Sequence, residues 1–60
     1  MNDYFEYEVL DTSGDVIKKF YTFNDSEAKR LARLVSGASV LKTIARGNDG
    51  HIEQEDFIQL

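Results

Sequence analysis

A chain of 60 residues with no cysteine and a single histidine, His51, is one domain (1–60) and excludes a disulfide scaffold, a thiolate metal site and a multi-histidine zinc site. Its net charge of −4 argues against nonspecific nucleic-acid binding, which needs clustered Lys and Arg. A core of this size buries only about 60% of the unfolded surface, so self-association as a homodimer, or a binding partner, is the expected extra support.

The charge comes in blocks. Asp3, Glu6, Glu8, Asp11 and Asp15 open the chain without a base. All seven bases then fall in residues 16–47 beside only Asp25 and Glu27, and Asp49, Glu53, Glu55 and Asp56 close it. Blocks of both signs suit a specific protein partner better than a polyanion. The first residues, Met1 to Glu6, lack the apolar stretch of a signal peptide, and no apolar run approaches membrane-spanning length. The expectation is a cytoplasmic protein with no membrane association.

Residues 3–10 alternate, with Phe5, Tyr7 and Val9 on one side and Tyr4, Glu6, Glu8 and Leu10 on the other, which is the period of a half-buried strand. Asp11-Thr12-Ser13-Gly14 has Asp and Gly where a type I turn wants them. It predicts a three-residue hairpin loop with Asp11 opposite Asp15, and a return strand over 15–23. The register that follows sets Val9 opposite Ile17, Tyr7 across from Lys19 and Phe5 opposite Tyr21, with Phe23 on that same side. The other face receives Leu10 with Val16, Glu8 with Lys18, and Glu6 with Phe20. A slip of one residue would exchange these partners.

Asn24-Asp25-Ser26-Glu27 is a helix start: Asn24 is the N-cap, Glu27 stands three residues on, and acids in the first turn suit the helix dipole. Ala28, Leu31, Ala32 and Val35 form a narrow apolar stripe with Leu31 at its centre, and Gly37 is expected at the left-handed position that ends the helix. Val40, Leu41 and Ile44 in residues 39–46 read as a strand, because a two-stranded hairpin with one helix needs a further strand. After the Asn48-Asp49-Gly50 turn, residues 51–60 fit either a strand or a short helix. The fold class is α+β, an antiparallel sheet with one helix on one face, in the order ββαβ(β).

Chemical motifs are sparse. Asp49-Gly50-His51-Ile52 with Asp56-Phe57 resembles the second half of an EF-hand loop, but Gly50 at position six puts Ala45 and Gly47 where ligands belong. A polar turn is the better reading, and no metal or cofactor is expected. Glu6 and Glu8 stand about 6.6–6.8 Å apart along a strand, a separation compatible with a catalytic carboxylate pair. A domain this small has little depth for the dry pocket such a pair needs, so the acids read as solvated. No nucleophile elbow is present, and the four glycines are too scattered to cradle phosphate. The chain is read as not an enzyme.

The most informative constellation is the second sheet face, Tyr4, Glu6, Glu8, Leu10, Val16, Lys18 and Phe20. With the helix on the first face, it is either an interaction surface or is covered by Phe57, Ile58 and Leu60 from the tail.

The passage Tyr21-Thr22-Phe23-Asn24-Asp25-Ser26-Glu27-Ala28-Lys29-Arg30-Leu31-Ala32, in which a strand ends and a capped helix begins, followed by Gly37 and Val40 to Ile44, resembles very small phage-encoded inhibitors. These include anti-CRISPR proteins and the small phage inhibitor of bacterial RNA polymerase. The resemblance is architectural and covers about residues 3–46. It implies a non-enzymatic, protein-binding inhibitor or modulator of the antidefence or host-takeover kind, working in the host bacterial cytoplasm by occluding a host protein or nucleoprotein complex. Tyr4, Glu6, Glu8, Lys18 and Phe20 are the expected contact residues, the acids meeting a basic surface. The alternatives are a nucleic-acid-binding module using Lys29, Arg30 and Arg33 on the helix, assisted by Lys18 and Lys19, and a structural homodimer subunit.

Overall fold

A computed structural model describes residues 4–60 and shows an α+β domain: β1 (Phe5–Leu10), β2 (Val16–Thr22), α1 (Asp25–Leu34), β3 (Ser39–Arg46) and β4 (Ile52–Gln59). The four strands form one sheet in the spatial order β2-β1-β3-β4, with every neighbouring pair antiparallel. The connection from β2 through α1 to β3 passes across β1 and lays the helix on one side of the sheet. The expected start of the first strand, at Asp3, lies outside the described residues.

Both hairpins use one device. Asp11 N–H donates to Asp15 O at 3.0 Å, Gly14 N–H donates to Asp11 O at 3.0 Å, and Gly14 has φ 87°. At the other hairpin Gly47 N–H donates to His51 O at 2.9 Å, Gly50 N–H donates to Gly47 O at 3.0 Å, and Gly50 has φ 90°. Each is a type I turn followed by a left-handed glycine, the three-residue loop predicted for Asp11–Asp15. The second turn also decides the tail, which returns as β4 antiparallel to β3 although its acids favour neither state locally.

The helix starts as the sequence predicts, with Asn24 Oδ1 accepting from Glu27 N–H at 2.8 Å. Its end differs from expectation. Ser36, not Gly37, takes the left-handed conformation, at φ 61°. Gly37 N–H donates to Ala32 O at 2.9 Å and Ser36 N–H to Arg33 O at 3.2 Å, the paired bonds of a Schellman motif. Gly37 serves another need: a Cβ there would overlap Val9 Cγ1 and stand 3.1 Å from Ala32 O, so only glycine admits the close approach to the sheet.

Ala28 and Ala32 are the fully buried helix residues, packed on Tyr7, Val9 and Val40, with Phe5, Phe20, Ile58 and Leu60 around them. Leu31 is half-buried, and Val35 is exposed. Two alanines at i and i+4 let the helix lie close to the strands.

The register of the first hairpin is the main correction. An irregularity at Val9/Leu10 keeps Leu10 with Val16 but pairs Val9 with Lys18, Glu8 with Lys19, Tyr7 with Phe20, Glu6 with Tyr21 and Phe5 with Thr22. Ile17 is the extra residue, a β-bulge beside the turn. The slip brings Phe20 against the core that Tyr7 anchors, and the burial gained there fixes the register.

Candidate functional site on the open sheet face

Cross-strand partners share a face, so the register assigns every side chain to one of two sides. On the helix side, Phe20, Tyr7, Lys42 and Asp56 form one row and Lys18, Val9, Val40 and Ile58 the next. On the open side the rows are Tyr21, Glu6, Thr43 and Glu55, then Lys19, Glu8, Leu41 and Phe57. Tyr4, Glu6 and Glu8 of the expected contact set therefore share the open face. Lys18 and Phe20 do not; the slip moves them to the helix side and puts Lys19 and Tyr21 in their place.

Of the seven aromatic residues, Phe5, Tyr7 and Phe20 pack on the helix side. The other four stand exposed on the open side: Tyr4 at 52%, Tyr21 at 62%, Phe23 at 58% and Phe57 at 59%. Tyr4 and Phe23 stack with centroids 5.0 Å apart, which places Phe23 opposite to its expected side. The tail does not cover this face. β4 widens it, presenting Phe57 there and turning Ile58 toward the core.

Glu6 sits at the middle of the face with its side chain only 11% exposed, contrary to the solvated acid expected. Arg46 Nη2 donates to both of its carboxylate oxygens at 3.0 Å, and Lys19 Nζ lies 3.2 Å away. Burial alone would raise the Glu6 pKa, but the bonds and charges of Arg46 and Lys19 outweigh it and hold the carboxyl below its usual range. Arg46 Nη1 also donates to Gly50 O at 2.5 Å, so one guanidinium ties β1 to the second turn. Arg46 lies 40 residues from Glu6. No local pattern announces such a pair, and it becomes visible only once β1 and β3 are known to be neighbours. Glu8 is half-buried between Lys19 and Leu41.

The helix side holds a second polar cluster that sequence reading also missed. Tyr7 Oη donates to Asp25 Oδ1 at 2.9 Å, and Lys42 Nζ lies 3.0 Å from the same oxygen and 4.2 Å over the Phe5 ring. Lys42 and then Tyr7 lower the Asp25 pKa against the opposing effect of burial, while burial and Asp25 push the Tyr7 phenol up. The cluster locks the first turn of the helix to the two central strands.

The alternative basic set, on the helix, lies on the opposite side of the sheet from the four exposed aromatics. Arg30 is paired with Glu27 at 2.5 Å, Lys29 is half-buried, and Arg33 is exposed in the last turn. His51 contacts Asp49 and Glu53 beside the second turn. The EF-hand-like segment is a hairpin, with Asp56 inside β4 and no exit helix after it. Among the described residues there is no cluster of three metal-ligating side chains, no enclosed pocket, and no helix long and apolar enough to cross a membrane.

The site and fold together define a small α+β domain with one helix-covered and one aromatic sheet face. No protein-family model matches the chain, and neither a curated protein nor a solved structure matches it significantly.

Proposed function

We propose that this protein is a small, non-enzymatic protein-binding inhibitor or modulator that occludes a partner's surface with its open sheet face. The observation that carries the reading is the set of four aromatic side chains, each more than half exposed, on one uncovered face. A 60-residue chain short of core material gains stability by burying such rings and loses it by exposing them, so their placement argues for an intermolecular role. Tyr and Phe are enriched at the centres of protein interfaces, where they contribute large area at low entropic cost. The phage-inhibitor resemblance agrees with this reading, and a host protein or nucleoprotein complex is the proposed class of partner.

The register alters the proposed contacts. Tyr4, Tyr21, Phe23 and Phe57 are the anchors. Glu6, neutralised by Arg46 and Lys19, organises the face from within, leaving Glu8 and Glu55 to meet basic groups on the partner. The test compares affinity capture by three chains: wild type, Tyr21→Ser with Phe57→Ser, and Lys29→Glu with Arg33→Glu, each checked for folding by circular dichroism. Wild type and the helix variant should retain the same nuclease-resistant protein at similar affinity, and the open-face variant should lose it. Loss on the helix variant alone, or nuclease-sensitive capture, would instead support nucleic-acid binding through Lys29, Arg30 and Arg33.

A further inference from the structure

The sheet ends in two edges of opposite character. β2 carries Lys18 and Lys19 and no acid; β4 carries Glu53, Glu55 and Asp56 and no base. Both are outermost in the strand order, at seven and eight residues, and both are largely exposed along their length. An outer strand of that length presents a row of main-chain donors and acceptors ready to pair with another strand.

We propose that the protein self-associates head to tail, with β2 of one copy adding antiparallel to β4 of the next. Strand direction permits it. Every neighbouring pair is antiparallel, so β2 and β4 run in opposite directions, and repeating the molecule along the sheet brings them together antiparallel with all helices on one side. In the register that sets Lys18 against Asp56, Lys19 falls against Glu55. The faces agree in that register: Lys18 and Asp56 lie on the helix side, and Lys19 and Glu55 on the open side. Opposite charges directly across a strand pair attract.

The same charges select against the symmetric alternatives. Pairing β2 with β2 brings Lys18 and Lys19 of two copies together near the middle of the strands, and pairing β4 with β4 does the same to Glu55 and Asp56. Both repel. A heterologous contact closes into a ring or continues as a filament, and either joins the open faces of successive copies into one platform. The inference rests on the edges and stands whether or not the open face binds a partner.

Sedimentation velocity over a range of concentration and salt tests it. The average mass of wild type should rise above 6.9 kDa, pass beyond the dimer, and fall back as salt screens the charges. Lys18→Glu alone and Asp56→Lys alone should each weaken association by on the order of tenfold or more, and an equimolar mixture of the two should restore it, because each supplies the edge the other lacks. Asp56 stands opposite Lys42, so Asp56→Asn serves if the lysine variant fails to fold. It should weaken association of its own copies, and mixing it with Lys18→Glu should recover dimers only, joined through the intact β2 of one copy and the intact β4 of the other. Wild type that stays monomeric throughout, or stops at a dimer, overturns the proposal. So does Lys18→Glu pairing with wild type more tightly than wild type pairs with itself, since that result means β2 meets β2.

Discussion

The two sides of the sheet are built from the same four strands and nearly the same number of aromatic rings, yet they resolve their polar groups in different ways. On the helix side Tyr7, Val9 and Val40 are completely buried, and the charged groups there, Asp25 and Lys42, join the helix to the strands. On the open side the rings stay in solvent and the central acid is satisfied by two bases from flanking strands. One side spends its apolar surface on folding. The other leaves it exposed, which teaches that in a domain this small the helix, by covering a single face, divides a buried side from an open one.

The strongest way to break that division is Tyr7→Ala. It removes a fully buried ring and its hydrogen bond to Asp25, and should cost about 3–5 kcal/mol, enough to unfold most molecules in a thermal melt followed by circular dichroism. An effect below about 1 kcal/mol would mean the helix side is not the core. The matched change on the open side, Tyr21→Ser with Phe57→Ser, should cost about 1 kcal/mol or less in urea titration, since it removes only exposed cross-strand contacts.

Gly37→Ala probes how tightly the helix end is seated. The new methyl has to displace Val9, and about 1–3 kcal/mol should be lost. One residue earlier the sign reverses. Ser36→Gly relieves a left-handed non-glycine residue and should gain about 0.5–1 kcal/mol.

The acidic limb of the stability profile sharpens the comparison, because each side holds a carboxylate of lowered pKa bonded to bases on other elements. Asp25 and Glu6 both titrate below their usual values of 3.8 and 4.5. A carboxyl depressed on folding contributes stability that is complete above its unfolded pKa and is lost as pH falls through the folded one. Melting temperature should therefore hold down to about pH 4.5 and decline below it. Asp25→Asn should flatten part of that decline, and a profile unchanged by it would remove Asp25 from the set of groups that titrate with folding. Glu6→Lys is a poor probe of recognition, since it would gather three cations at one point and disturb the sheet.

Much of this fold was legible because its signals are local. The alternation of Phe5, Tyr7 and Val9, the Asp11–Gly14 turn, the Asn24 cap and the Ala28–Ala32 spacing each report on a few consecutive residues, and the backbone follows them. Tyr4, Glu6 and Glu8 were placed on one face for the same reason. The slip at Ile17 was decided by tertiary structure, because Phe20 gains burial only when the helix covers Tyr7, and that choice carried Lys18, Lys19, Tyr21 and Phe23 to new sides. Residues 51–60 became a strand only because β3 offered an edge to pair with, and Arg46 found Glu6 only because the crossover set β3 beside β1. Sequence alone determined where the chain turns, caps and alternates, since those depend on conformations of neighbouring residues. Which face each side chain serves depends on long-range pairing and burial, and those energies exist only once the sheet is assembled.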